Sequence, residues 1–320
     1  MGRVREPWWL KFVMGAVVVA MVGVILWVGA AKPAEEVRYG GQYYPGEFVL
    51  QGFPELWGSL GVEHILFSSG TENNMALISG AIDVNCGSDS KTSALFAAID
   101  DALIIGVIQR GDRYSTVVQS DSAFRSWEDL KGATVATRLG SGAEQVLLRF
   151  FEQTESLSWD DYNWVNLKVE DMVASLEAGQ IAAFTAWEPT PAIAESQGIG
   201  RVIRSYGDIA QVPVCLHTTV GYAEANPGLL VAFLEAHKRK VALIESDPEL
   251  AAQYAAEAAS AIGIEVSPDA FLRIFERVDF SLEITEDVIA SLEDTAMFLF
   301  DRGKIDCLPV FRWDASFLED

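Results

Sequence analysis

From residue 37 onward, apolar residues at period two alternate with apolar residues at helical spacing, which predicts strands and helices in turn. Val37 to Gly40 reads as a short strand entering GGQYYPGE, and Phe48 to Leu60 as a helix. EHILFSS (63–69) reads as a strand. TENNMALISGAID reads as a helix, with Thr71 at its N-cap position and Gly80 after its last turn. DVNCG is a strand, and Asp89 or Ser90 caps the helix KTSALFAAI. ALIIGVIQ and YSTVVQS are β-branched, apolar strands.

The pattern restarts near Ser122. SWEDLKG reads as a short helix, ATVATR as a strand, and a helix opens at Ser141. YNWVNL, IAAFTAW and GRVIRSY read as strands, with the helices VEDMVASLEAG and TPAIAESQG between them. VPVCLHTTVGYA reads as one long strand. After Pro227 helices are expected over 227–246, 247–261, 268–278 and 284–302, with a cap at Ser267-Pro268. The fold class is therefore α/β. Two strands, 114–120 and 214–222, flank a block of about 100 residues, which suggests one lobe inserted into another through a two-strand hinge. The expected lobes are 37–116 with 217–320, and 117–216.

The first thirty residues follow another pattern. Arg3, Arg5 and Lys11 precede the unbroken apolar run 12–30, long enough to cross a bilayer as one helix. The run is either a membrane anchor or a cleaved signal peptide ending near Val28-Gly29-Ala30. In both cases the positive flank places the chain beyond Ala31 outside the cytoplasm. Residues 31–36 read as a linker.

The net charge of −23 argues against nucleic acid and anionic lipid surfaces as partners. The three cysteines, Cys86, Cys215 and Cys307, show neither CxxC nor zinc-type spacing with histidine, so no metal site is expected. Neither a G-x-S-x-G nor a Walker A motif occurs, no catalytic residue stands out, and no cofactor is called for. One stretch asks for a ligand: TRLGSGAEQVLL (137–148) is a strand end, a Gly-Ser turn and a helix start, where open N–H groups favour an anion. Yet Glu144 lies in the same turn.

Five segments in order carry a family resemblance: ALISGAIDV with GSDS; VVQSDSAFRSWEDLKGATVAT; GSGAEQVLLRFFE; VNLKVEDMVASLEAGQIAAFTAWEP; and GYAEANPGLLVAFLEAHKRKVALI. Together they resemble the extracytoplasmic solute-binding proteins of ABC importers for nitrate, aliphatic sulfonates, taurine and thiamine-pyrimidine precursors. The resemblance covers roughly 37–310. It implies a two-lobed type II periplasmic binding protein fold, a small-molecule ligand between the lobes, a monomer, and a permease and ATPase as partners. It places ligand contacts at Gln42, Tyr43, Tyr44, Ser69, Thr71, Ser88, Asp89 and Ser90, and across the cleft at Ser141, Gly142, Ala143, Trp187 and Glu188; Arg138 and Glu144 beside the same turn are added as charged candidates. His217 on the return strand is a further candidate.

Against the anion-binding members stands an acidic set, Glu47, Asp89, Glu144 and Glu188, on the proposed cleft loops. Buried carboxylates disfavour a bare inorganic anion. The ligand expected is thus a small polar organic nitrogen or sulfur compound, sulfonate-, taurine- or pyrimidine-like, that also carries an amine, a guanidino group or a polar heterocycle. Two other classes remain open: a membrane-anchored sensor domain, and an enzyme related to the pyrimidine synthases, for which Cys86 beside His217 is the only candidate pair.

Overall fold

The strand Ala102–Gly111 is buried at every position but its last, as a continuous Leu/Ile/Val run requires when both faces are covered. It is the fourth of eleven among the described residues: β1 (Glu36–Gly41), β2 (Gly61–Leu66), β3 (Val84–Ser88), β4 (Ala102–Gly111), β5 (Tyr114–Gln119), β6 (Thr134–Thr137), β7 (Asn163–Asn166), β8 (Ala183–Trp187), β9 (Gly200–Ser205), β10 (Val214–Thr219) and β11 (Val278–Asp279). The structure is a computed structural model that describes residues 36–67 and 69–319. The apolar run 12–30 lies outside the described residues. Among the described residues no helix is long and apolar enough to cross a membrane.

The helices are α1 (Pro45–Gly52), α2 (Gly70–Ile78), α3 (Asp89–Ala98), α4 (Gly142–Glu152), α5 (Val169–Glu177), α6 (Thr190–Ser196), α7 (Val220–Ala225), α8 (Pro227–Ser246), α9 (Pro248–Ala261), α10 (Pro268–Arg277) and α11 (Glu286–Asp301). Two sheets organise them, one in the order β11-β4-β10-β3-β1-β2 and one in the order β7-β6-β8-β5-β9. Each has parallel pairs, β1 with β3 and β6 with both β7 and β8. In each, the strand that follows a crossing between the sheets, β5 or β10, runs antiparallel to its neighbours. The chain crosses at 112–113 and again at 206–213. These segments hold one another, Gly111 N donating to Gln211 O (2.8 Å) and Tyr206 N to Tyr114 O (3.2 Å).

The period-two pattern assigns each strand's side chains to two cores. Leu103, Ile105, Val214 and Leu216 pack on one face of the six-stranded sheet; Ile104, Val107 and Cys215 pack on the other. In the second sheet Val118, Val135 and Ala183 oppose Val117, Ala136 and Phe184.

Several expected elements differ, each for a local reason. The first helix begins at Pro45, which suits a first helical position, and stops before Pro54; a 3-10 turn, Pro54–Trp57, follows. Ser69, not Thr71, caps α2, its side chain accepting from Glu72 N (3.2 Å). Ser88 occupies the N-cap position of α3, so Asp89 is its first helical residue. The stretch 126–132 forms turns rather than a helix. The long strand expected over 212–223 ends at Thr219, whose hydroxyl accepts from Tyr222 N and starts α7. The C-terminal segment returns to the first sheet, where Ile104 N donates to Arg312 O (2.9 Å) and Asp314 N to Ile104 O (3.0 Å).

Candidate functional site

A cleft of about 1120 Å³ lies between the two sheets, formed by loops at strand ends and by the helix starts that follow them. Each strand-to-helix connection delivers a few residues: Gln42, Tyr43 and Tyr44 after β1, Ser69 before and Gly70 at the start of α2, Ser88, Ser90 and Lys91 around the start of α3. From the other sheet come Arg138, Ser141 and Gly142 before and at the start of α4, and Trp187 at the end of β8, Pro189 after it and Thr190 at the start of α6. Five helices of eight or more residues, α1 to α5, thus begin at the cleft, and their partial positive ends favour an anion.

One residue lining the cleft was not singled out by the sequence pattern. Arg113 sits in the first crossing between the sheets and is only 2 % exposed. Its Nη1 donates to Val212 O (2.7 Å) and its Nη2 to Tyr114 Oη (3.4 Å), while Nε has no acceptor. The guanidinium lies over the Tyr44 ring (5.6 Å) and the Tyr114 ring (5.2 Å). Among the described residues it has no carboxylate partner. Val212, whose carbonyl receives it, has φ 43°, an outlier for a β-branched residue. A buried cation without a counter-charge is costly, so this geometry is suited to an anion that enters from the cleft. Lys91, whose Nζ donates to Thr71 Oγ1 (3.2 Å), and Arg138, held by Asn166 Oδ1 (3.4 Å), add two more cations without a carboxylate partner among the described residues.

The walls are aromatic. Trp187 meets Tyr114 edge to face at 6.3 Å. Burial pushes the Tyr44 phenol far up and the Tyr114 phenol to about 12, so both remain hydroxyl groups; Tyr44 Oη donates to Gln42 Oε1 (3.2 Å). Gly142 at the start of α4 must lack a side chain, because a Cβ there would lie 2.3 Å from Tyr114 Oη.

Ten of the expected contacts line the cleft: Gln42, Tyr43, Tyr44, Ser69, Ser88, Ser90, Arg138, Ser141, Gly142 and Trp187. Thr71 lies one residue into α2 and touches the site only through Lys91. Ala143 faces the core. His217 is buried on β10 between Asn85 Oδ1 (2.8 Å) and Thr92 Oγ1 (2.9 Å), and burial lowers its pKa to about 3. Cys86 packs on the opposite sheet face from His217, so the two make no catalytic pair. All three cysteines are free thiols.

The four carboxylates expected on the cleft loops are held by other partners, and the carboxylates that line the cleft are Glu170, Glu177 and Glu265. Glu47 is buried with its Oε2 3.2 Å from His64 Nε2. Asp89 accepts from Ser90 N and Thr295 Oγ1, both at 2.8 Å. Glu144 accepts from Gly140 N (2.7 Å) within its own turn, and Ser141 Oγ accepts from Ala143 N (3.2 Å), so two amides of the Gly-Ser turn are already taken. Glu188 binds Arg277 Nη1 (2.8 Å), and Arg277 also pairs with Glu195. Burial raises the Glu188 pKa to about 7, outweighing the pull of Arg277, and the nearby Glu195 carboxylate adds to the rise. The missed signal was GDRY: a lone arginine between two apolar strands where the chain crosses.

The comparisons with known proteins agree with this architecture. The NMT1-like family model matches residues 50–261. The chain belongs to the NMT1-like family. A putative aliphatic sulfonates-binding protein from Escherichia coli (strain K12) is 29% identical over 180 residues, covering 55% of this chain and 56% of that protein. The chain thus spans just over half the length of that curated relative. Among solved structures, the periplasmic aliphatic sulphonate-binding protein SsuA from Escherichia coli superposes with a TM-score of 0.71 at 24% identity, covering 86% of this chain and 90% of that one. The alkanesulfonate-binding protein SsuA from Xanthomonas axonopodis pv. citri, bound to MOPS, gives 0.65 at 23% identity, covering 86% and 96%. The fold of this NMT1-like chain is the two-lobed type II periplasmic binding protein fold.

Proposed function

We propose that this NMT1-like protein is an extracytoplasmic receptor that captures a small organic anion of sulfonate type and hands it to an ABC permease and its ATPase. The observation that carries the reading is Arg113, a buried guanidinium lining a cleft where five helices of eight or more residues begin, with two tyrosine rings around it and, among the described residues, no acceptor at Nε and no carboxylate partner. A sulfonate supplies the missing charge and several acceptor oxygens at once. The sulfonate-binding names of the relatives support the same class, and the N-terminal basic and apolar run supports export.

Thermal unfolding of the protein with ethanesulfonate, taurine, sulfate and ethylamine tests the reading. A bound anion at 100 times its dissociation constant adds about 2.7 kcal/mol of stability. The two sulfonates should shift the transition and ethylamine should not. Stabilisation by ethylamine alone would refute an anion receptor.

A further inference from the structure

Behind the loop that brings Gln42, Tyr43 and Tyr44 to the cleft lies a second set of ionisable groups, none of which lines the cleft. Tyr39 on β1, Glu47 on α1, Cys86 on β3, and His237 and Lys240 on α8 are fully buried, and the His64 side chain on β2 is nearly so. Trp57 and Phe233 pack against Tyr39 and His237. Among the described residues, ten buried side-chain nitrogen and oxygen atoms make no hydrogen bond, and six of them belong to Tyr39, Glu47, His64 and His237. Such a cluster is costly to bury, and apolar residues of similar shape would fill a core at less cost.

The cluster meets the loop at both ends. A Cβ on Gly41 would lie 2.3 Å from His64 Nε2 and 3.1 Å from Glu47 Oε2, and one on Gly46 would lie 3.4 Å from Lys240 Nζ. Gly46 and Glu47 belong to the first turn of α1, which begins at the cleft between Tyr44 and Phe48. The ammonium and the carboxylate therefore stand behind a helix start whose partial positive end favours an anion. Lys240 Nζ is 3.4 Å from His237 Nδ1; an ammonium only donates, so His237 accepts there and carries its proton on Nε2. Burial and the Lys240 charge hold this imidazole neutral, with a pKa well below the ordinary value. Burial raises the Tyr39 phenol and the Cys86 thiol, so both stay protonated. Burial also lowers Lys240 to about 8, although the Glu47 carboxylate from α1 and Cys86 from β3 favour its charged form.

We propose that Lys240 is a positioning residue for the anion: acting through Glu47 and the first turn of α1, its buried ammonium keeps the cleft end of that helix positive, and anion binding is coupled to its protonation. The proposal rests on the anion-receptor reading and adds an electrostatic control to it. While Lys240 is charged, it balances Glu47 behind the helix start. Once Lys240 has lost its proton, Glu47 stands unbalanced in the first turn and opposes an anion in the cleft. Linkage then runs both ways: alkaline pH weakens the anion, and the bound anion raises the proton affinity of Lys240.

Calorimetric titration of the full chain with ethanesulfonate, from about pH 6.5 to 9.5 and in buffers of different ionisation heat, tests the coupling. The affinity should begin to fall near pH 8 and be about five- to tenfold lower by about pH 9.5, with proton uptake on binding in between. Lys240→Met should remove both the fall and the proton uptake. Lys240→Met combined with Glu47→Gln leaves no lone carboxylate in the core and should do the same, even where the single variant fails to fold. Glu47→Gln alone should move the onset to lower pH, because the carboxylate that favours the charged lysine is gone. A parent affinity that is flat across this range overturns the coupling and leaves the receptor standing. So does a fall with proton uptake that persists without Lys240. If ethanesulfonate binds at no pH, the receptor reading fails and the coupling falls with it.

Discussion

Two arginines, both well shielded from water, stand near the junction of the lobes with opposite electrostatic settings. Arg277, at the end of α10, is held by Glu188 and Glu195 from the loop before α6 and from α6 itself. Arg113, in the crossing before β5, has a backbone carbonyl, a tyrosine hydroxyl and two aromatic faces, but no carboxylate. The first has its counter-charges within the fold and ties one lobe to the other. The second is left short of one negative charge and faces the cleft. A buried arginine paired from within is a structural element; one that lacks a partner is suited to a ligand.

The largest expected effect comes from breaking the internally paired site. Arg277→Met leaves Glu188 buried without its cation and should cost about 3–5 kcal/mol in urea unfolding. A loss under about 1 kcal/mol would mean that the pair is solvated and the contrast false. The same substitution at the other site should separate binding from stability. Arg113→Met is expected to weaken a bound sulfonate by about 2–5 kcal/mol in calorimetry, with folding stability unchanged or raised, since an uncompensated buried charge is removed. Equal damage to folding would place Arg113 with Arg277 as a structural ion.

The pH dependence sharpens the comparison further. Glu188 titrates near 7 in the folded chain and near the ordinary glutamate value of 4.5 when unfolded. Between those values the folded protein holds a proton that the unfolded chain has released, so this group's contribution to stability falls as pH rises from about 4.5 to 7 and levels off above. His217, buried neutral, acts in the opposite sense, its contribution being lost as pH drops below 6.5. The difference between the parent and Glu188→Gln isolates the first: the parent should lose roughly 1–3 kcal/mol relative to the variant across that window. Parallel melting curves at pH 5 and 7.5 would show an ordinary carboxylate. Smallest is Ser141→Ala. It removes the side-chain bond to Ala143 N and should cost about 0.5–2 kcal/mol of stability in denaturant unfolding, with a weaker effect on binding than Arg113→Met.

Much of the scaffold was legible because it rests on local patterns. The wholly apolar β4, the Ser267-Pro268 start of α10 and the helix opening at Ser141 each follow from neighbouring residues, and each lies where the sequence places it. Where competing local signals were close in strength, boundaries moved. Thr219 turned an apparent strand into a helix start, and Pro54 cut a helix short.

The site divides the same way. That loops after strands would converge was readable from the alternation and the family resemblance, and Tyr44, Ser141 and Trp187 do meet across one cleft. Which charges face that cleft was not readable. On the sequence, Glu144 and Glu188 stand beside the contacts and Arg113 stands apart. In the fold, Glu144 turns back to its own Gly140, Glu188 reaches Arg277, 89 residues away along the chain, and Arg113 is left without a counter-charge. Backbone propensity and hydrophobic periodicity act over a few residues, so the order of residues alone determined the strands, helices and their class. Electrostatic pairing depends on distance in space and on burial, both set only when the two sheets close on each other, and so which charges stand unpaired at the cleft was decided by the tertiary structure.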